Sequence, residues 1–377
     1  MIIGIDGNEA NITKRVGINK YAYEIIKSIH AILPNNKDLI VIIYLKENPL
    51  SDMPKETPQF KYKILNGRKI WIMSKLTPYL LTNPEKIDVF FSPNHYIPPF
   101  SRVSMVCAIM DLGFLKNSEQ FTKYDFWQLK YWTAWSIKRS KYVLTISNAS
   151  KEDIVRQYPN SSNKIIVTYP GYDKYLTTQK ISATKIRKVC KKYSIVGNYI
   201  LYIGTLKPSK NLEGLIRAYK SAVADINNIK LVIAGKKGWL YDSIFGLVKD
   251  LGIEKDIVFT DFISDEDKLH LIKGAKAFIL PSFWEGFGLD ILTCFTLGVP
   301  VVASNVGSIP EVLGDAGILI DPYRIESIAS GIKKVLSLKR KDYNKIVSKG
   351  KLRLKVFSWE NAAKLTIETL RKAANVS

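Results

Sequence analysis

Short apolar segments rich in β-branched residues recur along the chain, each followed by a longer stretch whose apolar positions return at helical spacing. A parallel sheet wrapped in helices produces this alternation, because its strands are buried on both faces and lose the in-out pattern of an exposed sheet. In the first half the pattern predicts strands over residues 2–6, 39–44, 89–91, 103–109, 142–146 and 165–167, with helices over 17–31, 122–139 and 150–158. After Pro170 and Gly171, residues 172–194 are polar and basic without a strand signal, so the passage between two domains is expected there. The count then restarts. Strands over 199–203, 230–234, 257–259, 277–280, 299–303 and 318–320 alternate with helices over 212–224, 241–251 and 265–273. Ser358 is a good N-cap ahead of Trp359, and the last helix is expected to run to about Ala374. The prediction is an α/β chain of two Rossmann-like domains, residues 1–172 and 173–356, with a closing helix in 357–377.

Length and composition agree with two cores. The chain has 377 residues, 46% hydrophobic and 24% charged, which marks a folded protein rather than a disordered one. Cys107, Cys190 and Cys294 are scattered and odd in number, which disfavours a disulfide framework or a zinc site and suits a reducing cytoplasm. The start, MIIGIDGNEA, lacks the features of a signal peptide, and no apolar run approaches the roughly 18 residues that span a bilayer. A cytoplasmic location, peripheral at the inner face of the membrane at most, is the expectation.

Charge adds a question of partners. Fifty-six Lys and Arg against 34 Asp and Glu leave a net charge of +22, spread over both halves. The densest basic runs are 185–192 and 333–355, where basic and apolar residues interleave at helical spacing. Solvated helix faces are the simplest reading of both, and attachment to an anionic membrane surface is the functional one. The aromatic segment 121–142 holds Phe121, Tyr124, Phe126, Trp127, Tyr131, Trp132 and Trp135 on one predicted helix, beside Lys138, Arg139 and Lys141. Core packing under one face is its simplest reading; stacking on a sugar ring and seating at a lipid headgroup boundary are the alternatives.

Candidate chemistry belongs at the carboxyl ends of the strands, where loops and helix N-termini present unpaired N–H groups. The loop after the first strand reaches Gly17 as its helix opens, and a glycine there lets backbone amides approach a pyrophosphate. In the second half, Gly204-Thr205-Leu206-Lys207-Pro208-Ser209-Lys210-Asn211 joins a strand to a helix and brings lysines to the sheet edge, which suits a diphosphate. The most informative stretch is 280–310, where a strand is followed by Glu285, Gly286, Phe287, Gly288 and a helix opening at Leu289. Glu285 can accept from sugar hydroxyls, and the amides of Phe287, Gly288 and Leu289 can hold the sugar and phosphate of a donor. Asp265-Glu266-Asp267 after Ser264 reads as a capped, acidic first helical turn rather than a metal site.

The Glu285-Gly286-Phe287-Gly288-Leu289 run, with Gly298, Pro300, Val301 and Val302 after it, resembles retaining glycosyltransferases of family four, also called group one. Similar matches lie at 204–212, 91–94, 147–151 and 358–360, so the likeness covers nearly the whole chain. The resemblance implies the GT-B fold. In it, an acceptor-binding N-terminal domain faces a nucleotide-sugar-binding C-terminal domain across a cleft, and the C-terminal helix returns to the first domain. It implies a hexosyltransferase that uses a GDP- or UDP-sugar and a glycan or lipid-linked acceptor, with retention of configuration and no cofactor or metal ion. Glu285, Lys210 and Asp111 are the implied catalytic residues. Gly17, Gly204, Thr205, Lys210, Glu285, Gly286, Phe287, Gly288, Leu289 and Thr293 are the implied donor-binding set. The likeness of residues 204–212 to mannosyltransferases of bacterial surface polysaccharides tilts the donor toward GDP-mannose.

The sequence departs from the family at several of these places. The second glutamate, which usually grips the nucleotide ribose, is Thr293, and the proline after the glycine run is Asp290, which could substitute for it or lie on the helix's outer face. Where the family has a histidine before an aspartate, this chain has Met110 before Asp111. His95 could fill that vacancy, an ordinary structural histidine being the simpler reading. Ser209 stands where an arginine usually precedes the phosphate lysine. An active transferase is therefore the leading expectation and a catalytically weakened GT-B scaffold or partner subunit the second. A sugar epimerase on the same fold is further off, and no motif supports a nucleic-acid binder.

Overall fold

The computed structural model describes every residue except 69, 117–121, 174–175, 177–180, 225, 227, 237, 239–241 and 376–377. The predicted helix start at 241 and Phe121 of the aromatic segment therefore lie outside the described residues, as does part of the predicted passage 172–194. The chain divides into two compact units, Met1–Gly171 with Ser358–Ser377, and Tyr172–Phe357.

In the first unit, strands β1 (Ile2–Asp6), β2 (Ile40–Leu45), β3 (Phe60–Ile64), β4 (Val89–Ser92), β5 (Ser104–Ala108), β6 (Tyr142–Thr145) and β7 (Ile165–Val167) form one parallel sheet. Its order is β3-β2-β1-β4-β5-β6-β7. Helices α1 (Ile18–Ile32), α2 (Thr77–Thr82), α3 (Gly113–Lys116), α4 (Lys123–Arg139) and α5 (Asn148–Gln157) connect the strands. Ala22, Ile25, Ile26 and Ile29 of α1 are fully buried at helical spacing, the stripe by which an amphipathic helix covers a sheet. β3 is absent from the predicted strands for a physical reason. It is an edge strand paired only with β2, and its segment FKYKI carries two lysines, as edges often do.

The second unit repeats the plan. Strands β8 (Asn198–Ile203), β9 (Ile229–Ala234), β10 (Ile257–Phe259), β11 (Ala277–Leu280), β12 (Val301–Ser304) and β13 (Ile318–Ile320) form a parallel sheet ordered β10-β9-β8-β11-β12-β13. Its helices are α6 (Ala183–Lys192), α7 (Leu212–Ala222), α8 (Asp242–Asp250), α9 (Asp265–Gly274), α10 (Leu289–Leu297), α11 (Ile309–Leu313), α12 (Ile325–Leu336) and α13 (Arg340–Arg353). Both basic runs are helical: 185–192 lies in α6, and 333–355 covers the end of α12, α13 and a short 3-10 turn. α6 is tied to α9 by Lys192 on Asp267 at 2.6 Å and Lys185 on Glu266 at 3.7 Å.

The final helix, α14 (Trp359–Ala374), belongs to the first unit. Ser358 caps it, accepting from the Asn361 amide. Trp359, Ala363, Ile367 and Leu370 are buried, the Trp359 ring meets Tyr21 of α1 at 6.0 Å, and Arg371 pairs with Asp38 at 2.7 Å. Among the described residues no helix is long and apolar enough to cross a membrane.

Candidate active site

In the second sheet, β8 lies between β9 and β11, so the order of the strands reverses at β8 and β11. A crevice opens at the carboxyl ends of strands at such a reversal, and this is where open α/β sheets bind ligands. The loop after β8 carries Gly204, Thr205 and Lys210; the loop after β11 carries residues 281–288. Two contacts fasten these loops together. The buried Asn211 side chain donates from Nδ2 to the carbonyls of Pro281 and Pro322, at 3.1 and 2.7 Å, and the Phe283 amide donates to the Ser209 carbonyl at 3.0 Å.

So fastened, Lys210 Nζ donates to Glu285 Oε1 at 2.6 Å, and Ser282 Oγ donates to the same oxygen at 2.7 Å. The two charged side chains are only 17% and 15% exposed, so each depends on the other for compensation. Glu285 Oε2 carries no hydrogen bond among the described residues. A carboxylate with one oxygen anchored and one open can orient a hydroxylated ligand without moving itself.

The turn after Glu285 is built around its glycines. Gly288 has φ 84°, a left-handed conformation that glycine adopts without cost, and a Cβ there would come within 2.9 Å of Ile309 Cδ1. No side chain caps α10, and the Ile291 amide donates to the Gly288 carbonyl at 3.0 Å, so within the first turn the amides of Leu289 and Asp290 remain available to an anion. Phe287 contributes only backbone to such a site, since its side chain is buried edge-on against Phe357 at 5.5 Å. On the β8 side, the Gly204 amide donates to Ala234 and the Leu206 amide to Lys236, at 2.9 and 3.0 Å. Gly235 lies so close that its Cβ would fall 2.0 Å from the Gly204 carbonyl oxygen.

Thr293 is half-buried on α10, one turn beyond Asp290. Asp290 is not a free replacement for the missing glutamate, because Lys268 of α9 holds it in an ion pair. Sequence reasoning missed Lys268, which follows an acidic, Ser264-capped first turn that reads as surface. Within that turn Asp267 accepts from Lys192 and from Tyr193 Oη at 2.8 Å. Under the loop after β8, the buried Tyr202 hydroxyl finds no hydrogen-bond partner among the described residues, and a Cβ on Gly204 would stand 2.5 Å from it.

The first unit places its candidates at the carboxyl edge of its own sheet. Gly17 immediately precedes α1 at φ 53°, with open space where a Cβ would be. Asp111 follows β5 and accepts from the Gly113 amide at 2.7 Å. Met110 is buried and offers no strong hydrogen bond. His95, after the adjacent β4, bonds Thr133 Oγ1 through Nδ1 at 3.2 Å and meets the Phe114 ring edge-on at 6.3 Å. Burial lowers its pKa and the Asp111 charge opposes that shift, which keeps the ring neutral near neutral pH. At the same edge, Asp6 accepts from the Asn8 amide and side chain at 3.0 and 2.7 Å, and burial raises its pKa. Glu9, bonded by Asn19, is raised by burial and by the Asp6 charge. Neither carboxylate was singled out from sequence, where nothing marks a Gly-Asn-Glu loop as buried.

Known proteins share this architecture. Residues 191–353 match the family model for glycosyl transferases group 1. The O-antigen chain mannosyltransferase B of Escherichia coli is 31% identical over 314 residues, 82% of this chain and 79% of that protein. The serotype-specific mannosyltransferase WbdA of Escherichia coli is 27% identical over 267 residues, which are 70% of this chain but only 33% of that longer protein. Among solved structures, Anabaena HepE in complex with UDP and glucose superposes with a TM-score of 0.73 at 18% identity, covering 98% of this chain and 99% of that one. A Rickettsia africae glycosyltransferase gives 0.74 at 16%, covering 100% and 99%. These two likenesses are of fold, and the fold is GT-B. With a relative this similar over this much of its length, and two doubly wound units in GT-B form, the chain belongs to the group 1 glycosyltransferases.

Proposed function

We propose that this enzyme transfers a hexose, mannose by preference, from a nucleoside diphosphate sugar to a glycan or lipid-linked acceptor, with retention of configuration and without a metal ion or other cofactor. The observation that carries the reading is the Lys210–Glu285 pair at the strand-order reversal of the second sheet, beside the uncapped start of α10. Lys210 and the Leu289 and Asp290 amides of α10 would stabilise the departing diphosphate, the task such a site must perform. Glu285 would hold the donor sugar through its open oxygen, and Gly204, Thr205 and Gly286 would admit the donor's phosphates to the backbone. In the first unit, Gly17 would bind donor and Asp111 would act in catalysis; in the second, Thr293 would offer the ribose one hydroxyl.

Mannose is favoured because relatives similar over most of this chain's length are named mannosyltransferases. The base follows less directly: GDP is favoured with the mannose, and UDP is the alternative. The proposed location is cytoplasmic, at the inner face of the membrane. A thermal-shift screen of GDP-mannose, other GDP-sugars and UDP-sugars tests donor choice, since a ligand bound only by the folded state raises Tm. Transfer in excess chelator and the anomeric configuration of the product test the remaining terms. A weakened scaffold is the second reading, favoured by Met110 and by the commitment of Asp290 to Lys268. Absence of both donor binding and donor hydrolysis would select it.

A further inference from the structure

The aromatic segment divides its rings between two faces of α4. Phe126 packs toward Phe114 at 6.4 Å, and Trp132 donates from Nε1 to the Ile97 carbonyl at 3.2 Å, while Thr133, Ser136 and Ile137 are buried beneath the helix. Tyr124, Trp127, Tyr131 and Trp135 point the other way and are 75%, 45%, 67% and 37% exposed. Their spacing of three, four and four residues forms one stripe, which at about 1.5 Å per residue is roughly 16 Å long. Core packing therefore accounts for the inward rings and leaves four outward ones.

An outward stripe of tyrosine and tryptophan is costly in water unless something covers it, and contiguous exposed aromatic surface marks an interaction site. The cations around it identify the partner. α4 carries Lys123, Lys130, Lys138 and Arg139 against the single acid Asp125, which is engaged by the N-cap Thr122. Lys130 Nζ lies 4.8 Å from the Trp127 ring centre, and the Arg139 guanidinium 5.9 Å from that of Trp135. A second copy of the chain on this face would bring these cations against their own images. Amphipathic rings interleaved with long cationic side chains match the headgroup layer of a bilayer, where the rings sit among the polar heads and the cations meet anionic lipid. The basic runs on α6 and α13 lack such a stripe.

We propose that the Tyr124–Trp127–Tyr131–Trp135 face of α4 seats the first unit on an anionic membrane surface. This surface is distinct from the donor residues of the second unit, so vesicle binding measured without donor or acceptor tests it independently of the proposed transfer reaction.

The experiment is flotation of the full chain with vesicles of phosphatidylcholine alone, or of equal parts phosphatidylcholine and phosphatidylglycerol. The expected result is binding to the mixed vesicles, much weaker binding to phosphatidylcholine, and a Trp emission shift to the blue. Trp127→Ser with Trp135→Ser should lower the partition constant at least about tenfold, and Lys130→Glu with Lys138→Glu should do the same on anionic vesicles only. Far-UV circular dichroism and Tm confirm that the variants fold, and Lys345→Ala with Lys351→Ala on α13 should bind as the parent does. Wild-type chain that stays off anionic vesicles would overturn the proposal. So would equal binding by the Trp variant, or a dimer in sedimentation velocity that this variant abolishes.

Discussion

Lys210 and Glu285 meet at 2.6 Å although 75 residues separate them in the chain. Their meeting depends on Asn211, whose one side chain holds the carbonyls of Pro281 and Pro322. Lys210 is thereby placed by its uncharged neighbour, which also holds the start of the loop that carries Glu285.

Replacing either member should stop the chemistry and spare the fold. Lys210→Ala and Glu285→Ala are each expected to slow transfer at least about 100-fold, the scale for removing one electrostatic contact to the transition state. The double variant should be little worse than either single one, because the two act as a unit. Steady-state rates with circular dichroism check this, and near-normal rates in both single variants would sink the assignment.

The glycine at the back of the same loop makes a sharper structural test. Gly235→Ala would drive a Cβ into the Gly204 carbonyl oxygen at φ 149°, so the loop must shift. A cost of about 1–3 kcal/mol and weakened donor binding are expected, by thermal melt and titration. Gly246→Ala, on the exposed face of α8 with nothing within 4 Å, should instead stabilise by about 0.5–1 kcal/mol. If the two substitutions act alike, the close packing of the loop is not what limits this position.

Thr293→Glu restores a carboxylate one turn after Asp290, which is already engaged by Lys268. Charge-assisted hydrogen bonds to a ribose would tighten donor binding about tenfold. Calorimetry with the preferred donor measures it; weaker binding by a folded variant would remove Thr293 from the donor set.

Acidification should expose His95. Its folded pKa lies below the ordinary 6.5, so the unfolded chain binds more protons between the two values. Its stabilising contribution is therefore complete above about pH 6.5 and is lost as pH falls through the lower folded value. Asp6 and Glu9, raised by burial, work in the opposite sense over their own range. The difference in Tm between wild type and His95→Gln should thus narrow or reverse as pH falls, and a difference independent of pH would refute the coupling.

Leu370→Ala on α14 opens a cavity against the sheet and α1. A loss of about 2–5 kcal/mol is expected in the first unit alone, read by hydrogen exchange in each unit. Equal loss of protection in both units would contradict the separate cores.

The central strands were readable from sequence because burial on both faces leaves an uninterrupted apolar run, as in IVIIYL and NYILYI. β3 was not, since a lysine-bearing edge strand resembles a loop in pattern. Glu285 and Lys210 each stood out in their own loops, but their contact is a product of strand order, which no local spacing encodes. Lys268 was hidden for the same reason: its partner Asp290 is one strand crossing away. The outward turn of Tyr124, Trp127, Tyr131 and Trp135 could not be separated from Phe126 and Trp132 without knowing which side of α4 the sheet occupies.

The placement of α14 against α1 also bears on how the protein is made. A ribosome releases residues 172–357 in full before it adds the segment that completes the opening unit, so the later unit can close first. Until Trp359 reaches Tyr21, the α1 surface waits uncovered, and a nascent chain stalled before that point would present it to chaperones.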